Sequence, residues 1–550
     1  MATFKIIQLQ IEIMAQQPIT DNLAHQIQST HVQNKSQLPN PNITELRIGI
    51  MGNVDSGKST LTGVLTKDVL DDGRGRARTL VMKHKHELTT GRTSCVTHHY
   101  TRTRQAADPE TRTRQAADPE TRTRQAADPE TMTRQAADPE TRTRQAADPE
   151  TRTRQAADPE TRTRQAADPE DGKQCERHIT YIDLAGHEKY LKTTINGIHR
   201  CYIDYAIVVI GANMGMESGT FAVGTKTHGY KNRGDTMYKQ VNMTEEHLNL
   251  CLNLAIPTII VMTKTDLAPD SVREKTLGQI NTYMAKKTRG SRNAIQINSM
   301  TDLDEFLAKH YFTEPTRDML TGVPVISVSS VSGAGLDILK SCIQRLPQYT
   351  NYSVEVQKPA NFVIDGTFHI DGIGLVVSGT LRSGVVRKGD VIQLGPIGRL
   401  FYPVIVKSIH NNFREFVDFL QPGHSGCFAI KAAPSSSKFE IKRHMIRHGT
   451  RLMTKPETCS EFRAKIKVLH HPTMIKLNYE PTIHCGSITQ AAQIIEMDKE
   501  HMRLGDVAEV RFRFKFRPEF MLPNSKLVFR EGMTRGIGKV IAIDPISLSN

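Results

Sequence analysis

The stretch Gly52-Asn53-Val54-Asp55-Ser56-Gly57-Lys58-Ser59-Thr60 matches the pattern G-x-x-x-x-G-K-[ST], with Gly52, Gly57, Lys58 and Ser59 in its fixed places. Immediately before it, the apolar run at 46–51 predicts a buried strand. Immediately after it, Leu61, Val64 and Leu65 recur at helical spacing. Strand, glycine loop, helix is the context in which this pattern holds a polyphosphate. The glycines let backbone N–H groups turn inward, and the helix N-terminus adds partial positive charge. Lys58 is then placed to reach the β and γ phosphates, and the Ser59 hydroxyl to ligate Mg²⁺.

The 550 residues are enough for several domains. Residues 101–170 are seven copies of Thr-Arg-Thr-Arg-Gln-Ala-Ala-Asp-Pro-Glu, with Met132 replacing one arginine. Each Asp-Pro-Glu suits a helix start. No copy carries a large apolar residue other than Met132, however, so none has a face that stacking could bury. The array reads as a mobile insert with fleeting helical turns. It holds 13 arginines against 14 acids, so the net charge of +14 resides elsewhere, and a surplus of that size favours polyanionic partners such as nucleic acid. Eight cysteines without a Cys-x-x-Cys pair indicate reduced thiols in a cytoplasmic protein. No apolar run of membrane-spanning length occurs, so no membrane span is expected.

Residues 1–44 form a polar, mostly disordered extension. From 45 to 350, strands alternate with helices: runs at 179–182, 206–210, 257–262 and 323–328 read as strands, and 244–254 and 336–346 as helices. That alternation implies parallel βαβ units, interrupted by the array and by a Gly-, Lys- and Thr-rich insertion at 217–241. His84, His86, His98 and His99 lack partners at ligand spacing, and metal binding by histidine is not expected. From about 358 the character changes to short Val-, Ile- and Gly-rich runs. These predict two small antiparallel β-barrels, at 358–456 and 460–546.

Further motifs fall at strand ends. Asp183-Leu184-Ala185-Gly186 supplies a carboxylate for a Mg²⁺-bound water and a glycine N–H for the γ-phosphate. Thr263-Lys264-Thr265-Asp266 ends a strand with a carboxylate that can accept from N1–H and N2–H₂ of guanine, a donor pair adenine lacks. Lys264 is placed to pack over the base, and Ser329-Ser330 to offer a backbone N–H to guanine O6. Lys58 and Asp183 lie 125 residues apart, or 55 once the array is subtracted, and Asp183 and Lys264 lie 81 apart across the second insertion. A compact guanine-nucleotide domain accommodates both intervals.

These residues, with Gly73-Arg74-Gly75, His84-Lys85-His86-Glu87, Gly91-Arg92-Thr93, His187-Glu188-Lys189-Tyr190, Val468-Leu469-His470-His471-Pro472-Thr473, His484-Cys485-Gly486-Ser487-Ile488 and Phe529-Arg530-Glu531-Gly532, resemble a translational GTPase of the elongation factor Tu/1A class. The resemblance is strongest to the family of GTP-binding proteins 1 and 2, and it covers roughly 45–545 apart from the two insertions. It implies an α/β phosphate-loop domain followed by two β-barrels, with GTP/GDP and Mg²⁺ as cofactors. It also implies GTP hydrolysis linked to translation or RNA handling. By position, Thr93 is the switch threonine that closes on Mg²⁺, and His187 orients the attacking water, with charge stabilisation from Lys58 and Mg²⁺. Expected partners are tRNA, the ribosome or RNA-decay machinery, and a nucleotide exchange factor, with the chain itself monomeric.

Three departures accompany the resemblance. Thr263 stands where most GTPases carry Asn, so a loop-bracing hydrogen bond is lost or taken over by a hydroxyl. Arg92 replaces an aliphatic gate residue. The array begins eight residues after Thr93, and a long loop there adds little closure entropy but can slow the switch. A GTP-dependent RNA- or ribosome-binding module with negligible hydrolysis is the alternative. For RNA contact the candidate is Arg511-Phe512-Arg513-Phe514-Lys515-Phe516-Arg517. Its alternation predicts three buried phenylalanines and four outward cations, with a solvated, charge-protected edge strand as the plainer reading.

Overall fold

The computed structural model describes residues 43–82, 84–90, 93–104, 176–216, 220–221, 241–312, 321–350, 352–434, 441–531 and 534–546. The extension through residue 42, the array beyond Arg104, nearly all of 217–241, and Arg92 lie outside them.

Seven strands make the first sheet: β1 (Ile43–Gly52), β2 (Thr97–Arg104), β3 (Glu176–Asp183), β4 (Tyr205–Gly211), β5 (Thr258–Thr263), β6 (Asn293–Ile297) and β7 (Gly322–Ser327). Their order is β2-β3-β1-β4-β5-β7-β6. β1 pairs in parallel with β3 and β4, β4 with β5, and β7 with β5 and β6. β4 and β5 are buried along their whole length, as strands covered on both faces must be. The covering helices include α1 (Lys58–Lys67), α2 (Arg76–Thr79), α3 (Lys85–Thr90), α4 (Leu191–Arg200), α5 (Met243–Asn253), α6 (Asp270–Thr288), α7 (Met300–Leu307) and α8 (Leu336–Arg345). One core joins Leu61 and Val64 of α1 to Leu339 and Ile343 of α8. The other joins Ile195 and Ile198 of α4 to Leu248 of α5 and Ile280 of α6. In every case the buried positions recur at helical spacing.

The first copy of the array departs from expectation. Thr101–Arg104 form the end of β2, where the Thr103 hydroxyl donates to the Arg177 carbonyl oxygen (3.3 Å). Arg102 pairs with Glu415 (2.9 Å) and lies 4.3 Å from the centre of the Phe413 ring. The alternation Thr-Arg-Thr-Arg suits an extended strand, and the β-branched threonines favour it.

Two barrels follow. The first contains β8 (Asn361–Ile370), β9 (Gly374–Ser383), β10 (Val391–Ile397), β11 (Leu400–Asn411), β12 (Ser425–Ala432) and β13 (Arg451–Met453), and closes where β10 meets β11. The second contains β14 (Thr458–His470), β15 (Thr482–Cys485), β16 (Ile488–Met497), β17 (Val507–Phe514), β18 (Lys526–Glu531) and β19 (Thr534–Ile546), closed by β14 pairing with β19. Period-two patterning builds it. On β14, Phe462, Ala464, Ile466 and Val468 point inward and Arg463, Lys465 and Lys467 outward.

The basic strand is not the edge strand expected of it. β17 lies between β14 and β16 in a closed barrel, so it has no open edge. Phe512 and Phe514 are buried, but the strand ends there and Phe516 is 70% exposed. Arg511 pairs with Glu461, Glu496 and Asp544, Arg513 with Glu461, Lys515 with Glu480, and Arg517 with Glu519. Cross-strand carboxylates therefore answer the charge that the strand alone seemed to offer to phosphate.

Both barrels are tied to the first domain. Glu45 of β1 accepts from Ser425 N–H (2.9 Å). Asn196 of α4 meets His484 (2.8 Å) and Thr489 (3.0 Å), and Glu246 of α5 pairs with Arg535 (2.6 Å).

Candidate nucleotide site

The 52–60 loop leaves the carboxyl end of β1 and enters α1, whose N-cap Gly57 has φ 88°, a left-handed conformation that disfavours any side chain. Asp55 is also left-handed, at φ 58°. The loop is drawn around the Asn53 carbonyl, which accepts from Ser56 Oγ (2.9 Å) and Lys58 Nζ (2.6 Å), while Asn53 Oδ1 accepts from Val54 N–H (2.7 Å). Lys58 is only 7% exposed, and its burial lowers the ammonium pKa, with Asp183 and Asp55 acting the other way. A desolvated ammonium at this point is a strong attractor for phosphate oxygens.

Asp183, at the end of β3, brings the switch segment to the loop. Its Oδ2 accepts from Ser59 Oγ (2.9 Å) and Thr93 Oγ1 (3.3 Å), and those two hydroxyls are themselves 2.7 Å apart. Burial pushes the Asp183 carboxyl up to about 6, against the pull of Lys58, Ser59 and Thr93, and its Oδ1 is buried without a hydrogen-bond partner. Three converging hard oxygens and one orphaned carboxylate oxygen fit Mg²⁺, and a dication there would favour the ionised carboxylate.

Gly186 and His187 complete the phosphate side. Val54, Asp55, Gly57, Lys58, Ser59, Thr60, Thr93, Gly186 and His187 line one pocket together with Arg78. His187 is half-buried, and its Nδ1 accepts from Lys189 N–H (3.1 Å), which in the neutral ring assigns the proton to Nε2. Such an imidazole is suited to orienting water by hydrogen bonding. A Cβ at Gly186 would overlap Lys58 Nζ and the Gly52 carbonyl oxygen. Gly186→Ala is therefore expected to displace Lys58 at a cost of roughly 1–3 kcal/mol, so affinity for a non-hydrolysable GTP analogue should fall about tenfold or more. Calorimetric titration with the analogue and with GDP checks this; unchanged affinity for both would count against the assigned contact.

The base loops adjoin the same pocket. The Thr263 hydroxyl donates to the Ser56 carbonyl (2.6 Å). It thereby takes over the brace that an Asn supplies in most GTPases. Lys264 is left-handed at φ 59°, and Asp266 is exposed. Ser329 Oγ accepts from Val331 and Ser332 N–H (3.2 and 3.1 Å), closing the turn that carries Ser330.

Two features escaped the sequence reading. Arg78 lines the phosphate pocket although no motif flagged it. Glu87 and Cys95 meet His84, with ligand atoms within 4.8 Å of one another. The buried Glu87 carboxylate already accepts from Ser94 N–H (2.9 Å) and Cys95 Sγ (3.2 Å), which braces the segment after Thr93.

A mostly parallel sheet with a G-x-x-x-x-G-K-S loop at the end of its first strand, followed by two closed antiparallel barrels, defines an elongation-factor-type GTPase architecture. Residues 44–348, more than half of the chain, match the family described as elongation factor Tu GTP binding domain. GTP-binding protein 1 of Xenopus laevis is 32% identical over 544 residues, covering 96% of this chain and 68% of that protein. GTP-binding protein 2 of Mus musculus is 30% identical over 516 residues, covering 92% and 71%. The chain belongs to the elongation factor Tu-type GTPases, in the group of GTP-binding proteins 1 and 2. Solved structures share the fold at low identity. A bacterial selenocysteine-specific elongation factor, EF-Sec, matches with TM-score 0.55 and 16% identity, over 92% of this chain and 60% of that one. The Saccharomyces cerevisiae Ski7 GTPase-like domain, bound to GDP and inorganic phosphate, matches with TM-score 0.55 and 12% identity, over 90% and 97%. Among the described residues no helix is long and apolar enough to cross a membrane.

Proposed function

We propose that the chain is a Mg²⁺-dependent GTP hydrolase that switches partners in translation or RNA handling. The observation that carries this is the convergence of Lys58, Ser59, Thr93, Gly186 and His187 on one pocket, with Asp183 hydrogen-bonded behind Ser59 and Thr93 and Thr263 bonded to Ser56. Lys58 and the loop N–H groups hold the β and γ phosphates. Asp266 reads guanine, with Lys264 over the base and Ser329-Ser330 beside O6. Ser59, Thr93 and, through water, Asp183 would hold Mg²⁺, which when bound neutralises charge on the β and γ oxygens. His187 aligns a water whose oxygen bonds to the γ-phosphorus as the bond to the β–γ bridging oxygen breaks. The electron pair leaves with GDP and the water protons pass to inorganic phosphate. Loaded with GTP, the protein engages tRNA, ribosome or RNA-decay machinery, and hydrolysis releases it.

Single-turnover hydrolysis with and without ribosomes tests this. His187→Ala should slow cleavage about 10²-fold or more while leaving GDP affinity unchanged. A rate indifferent to that substitution under both conditions would favour a GTP-dependent binding module with negligible turnover.

A further inference from the structure

Arg78 lines the same pocket as Lys58, Ser59, Thr93, Gly186 and His187. Among the described residues it has no ion-pair partner, so its charge is not neutralised by a neighbouring carboxylate. The backbone that carries it is unusually well fixed. The Asp71 carboxylate accepts from Gly73 N–H (3.0 Å), Gly75 N–H (3.1 Å) and Ala77 N–H (2.8 Å), which folds Gly73-Arg74-Gly75 into a clasp at the start of α2. Asp71 N–H in turn donates to the Ser330 carbonyl (2.9 Å), on the loop assigned to the base. α2 also presses directly on the phosphate-loop helix, because a Cβ at Gly63 of α1 would overlap the Ala77 carbonyl. The guanidinium itself lies over Gly75, where a Cβ would come 2.9 Å from its Cζ. A long basic side chain is thus mounted on α1 and on the guanine loop, and a missing side chain at Gly75 leaves room for its head.

We infer that Arg78 is a catalytic residue acting in cis: its guanidinium stabilises the charge that develops on the β–γ bridging oxygen and the β-phosphate oxygens beside it as that bond breaks. The inference rests on the GTP-hydrolase reading above and names the group that supplies charge beyond Lys58. In the dissociative transition state charge accumulates on oxygens that a planar fork can meet with two N–H donors, which an ammonium cannot. Guanidinium groups so placed are worth about 10³–10⁵ in rate in related chemistry.

The test uses the full chain with Arg78→Ala and Arg78→Lys. Each is titrated with GDP, with a non-hydrolysable GTP analogue, and with GDP plus aluminium fluoride and Mg²⁺ as a transition-state mimic. Wild type should form the aluminium fluoride complex. Arg78→Ala should lose it while binding GDP and the GTP analogue within about threefold of wild type, a change below 1 kcal/mol. Single-turnover cleavage should slow about 10³-fold, with partial recovery in added guanidinium chloride, and Arg78→Lys should fall between the two. An aluminium fluoride complex as tight in Arg78→Ala as in wild type would overturn the inference. So would equal weakening of all three ligands, which marks a group that binds ground and transition states alike. If wild type retains no guanine nucleotide, the hydrolase reading fails and this inference with it.

Discussion

Asp266→Asn is expected to reduce GTP affinity by roughly 100-fold or more and to raise affinity for xanthosine triphosphate. The carboxylate presents two acceptors to the paired N1–H and N2–H₂ donors of guanine. Each such charge-assisted bond contributes about 1.5–3 kcal/mol. Because Asp266 is exposed, the lower end of that range applies to each bond, and two bonds at that end give about 100-fold. An amide turns one acceptor into a donor, which clashes with N2–H₂ but matches the 2-oxo group of xanthine. The rest of the loop does not depend on this side chain. Thr263 fixes it to Ser56 through its own hydroxyl, and the Thr265 carbonyl accepts from Arg273 (3.2 Å). The variant should therefore fold normally, and competition between fluorescent GDP and unlabelled GTP or XTP reads the preference. An unaltered preference for GTP would remove the base-recognition role from Asp266.

What was legible in the chain is what chemistry writes locally. The phosphate loop, Asp183 to Gly186, and Thr263 to Asp266 are contiguous strings at strand ends, so their residue types and order suffice to bring them to one end of the sheet, where Asp183 meets Ser59 and Thr263 meets Ser56. The barrels were legible for a similar reason: two-residue periodicity on strands such as β14 declares an inside and an outside. The misreadings concern partners distant in sequence. The cations of β17 face carboxylates on β14, β16 and β19, up to 52 residues away, which no local pattern encodes. Arg78 enters the pocket through the Asp71–Ser330 link, which joins residues 259 positions apart. Thr101–Arg104 read as part of a low-complexity repeat, yet β3 supplied a neighbour for their extended pattern. In each case a tertiary contact, not a propensity, decided the outcome.

The same distinction governs stability at the junction of β1 with the first barrel, where Arg47→Ala is expected to destabilise the protein by about 3–5 kcal/mol. Arg47 and Glu45 are an ion pair at 3.2 Å with side chains only 3% and 1% exposed. Arg47 also donates to the Cys201 carbonyl (3.1 Å), and Glu45 accepts from Ser425 N–H, Ser425 Oγ and Thr180 Oγ1 at 2.9–3.1 Å. Removing the guanidinium leaves a buried carboxylate without its countercharge. Burial disfavours that carboxylate, but Arg47, His424 and the Ser425 N–H together hold its pKa below the ordinary 4.5. A folded pKa below the unfolded value means that this stabilisation is present above pH 4.5 and is lost as pH falls through the folded value. The gap in urea midpoint between wild type and Arg47→Ala should therefore be widest near neutral pH and narrow below pH 4.5, where Glu45 in the variant is protonated at little penalty. The double variant Glu45→Gln, Arg47→Ala should recover about half of the loss or more, since the amide still accepts from Ser425 and the charge is gone. Urea unfolding of wild type and the two variants at two pH values separates an uncompensated charge from a simple cavity. A cavity left by the arginine stem would give a deficit independent of pH and unrelieved by Glu45→Gln.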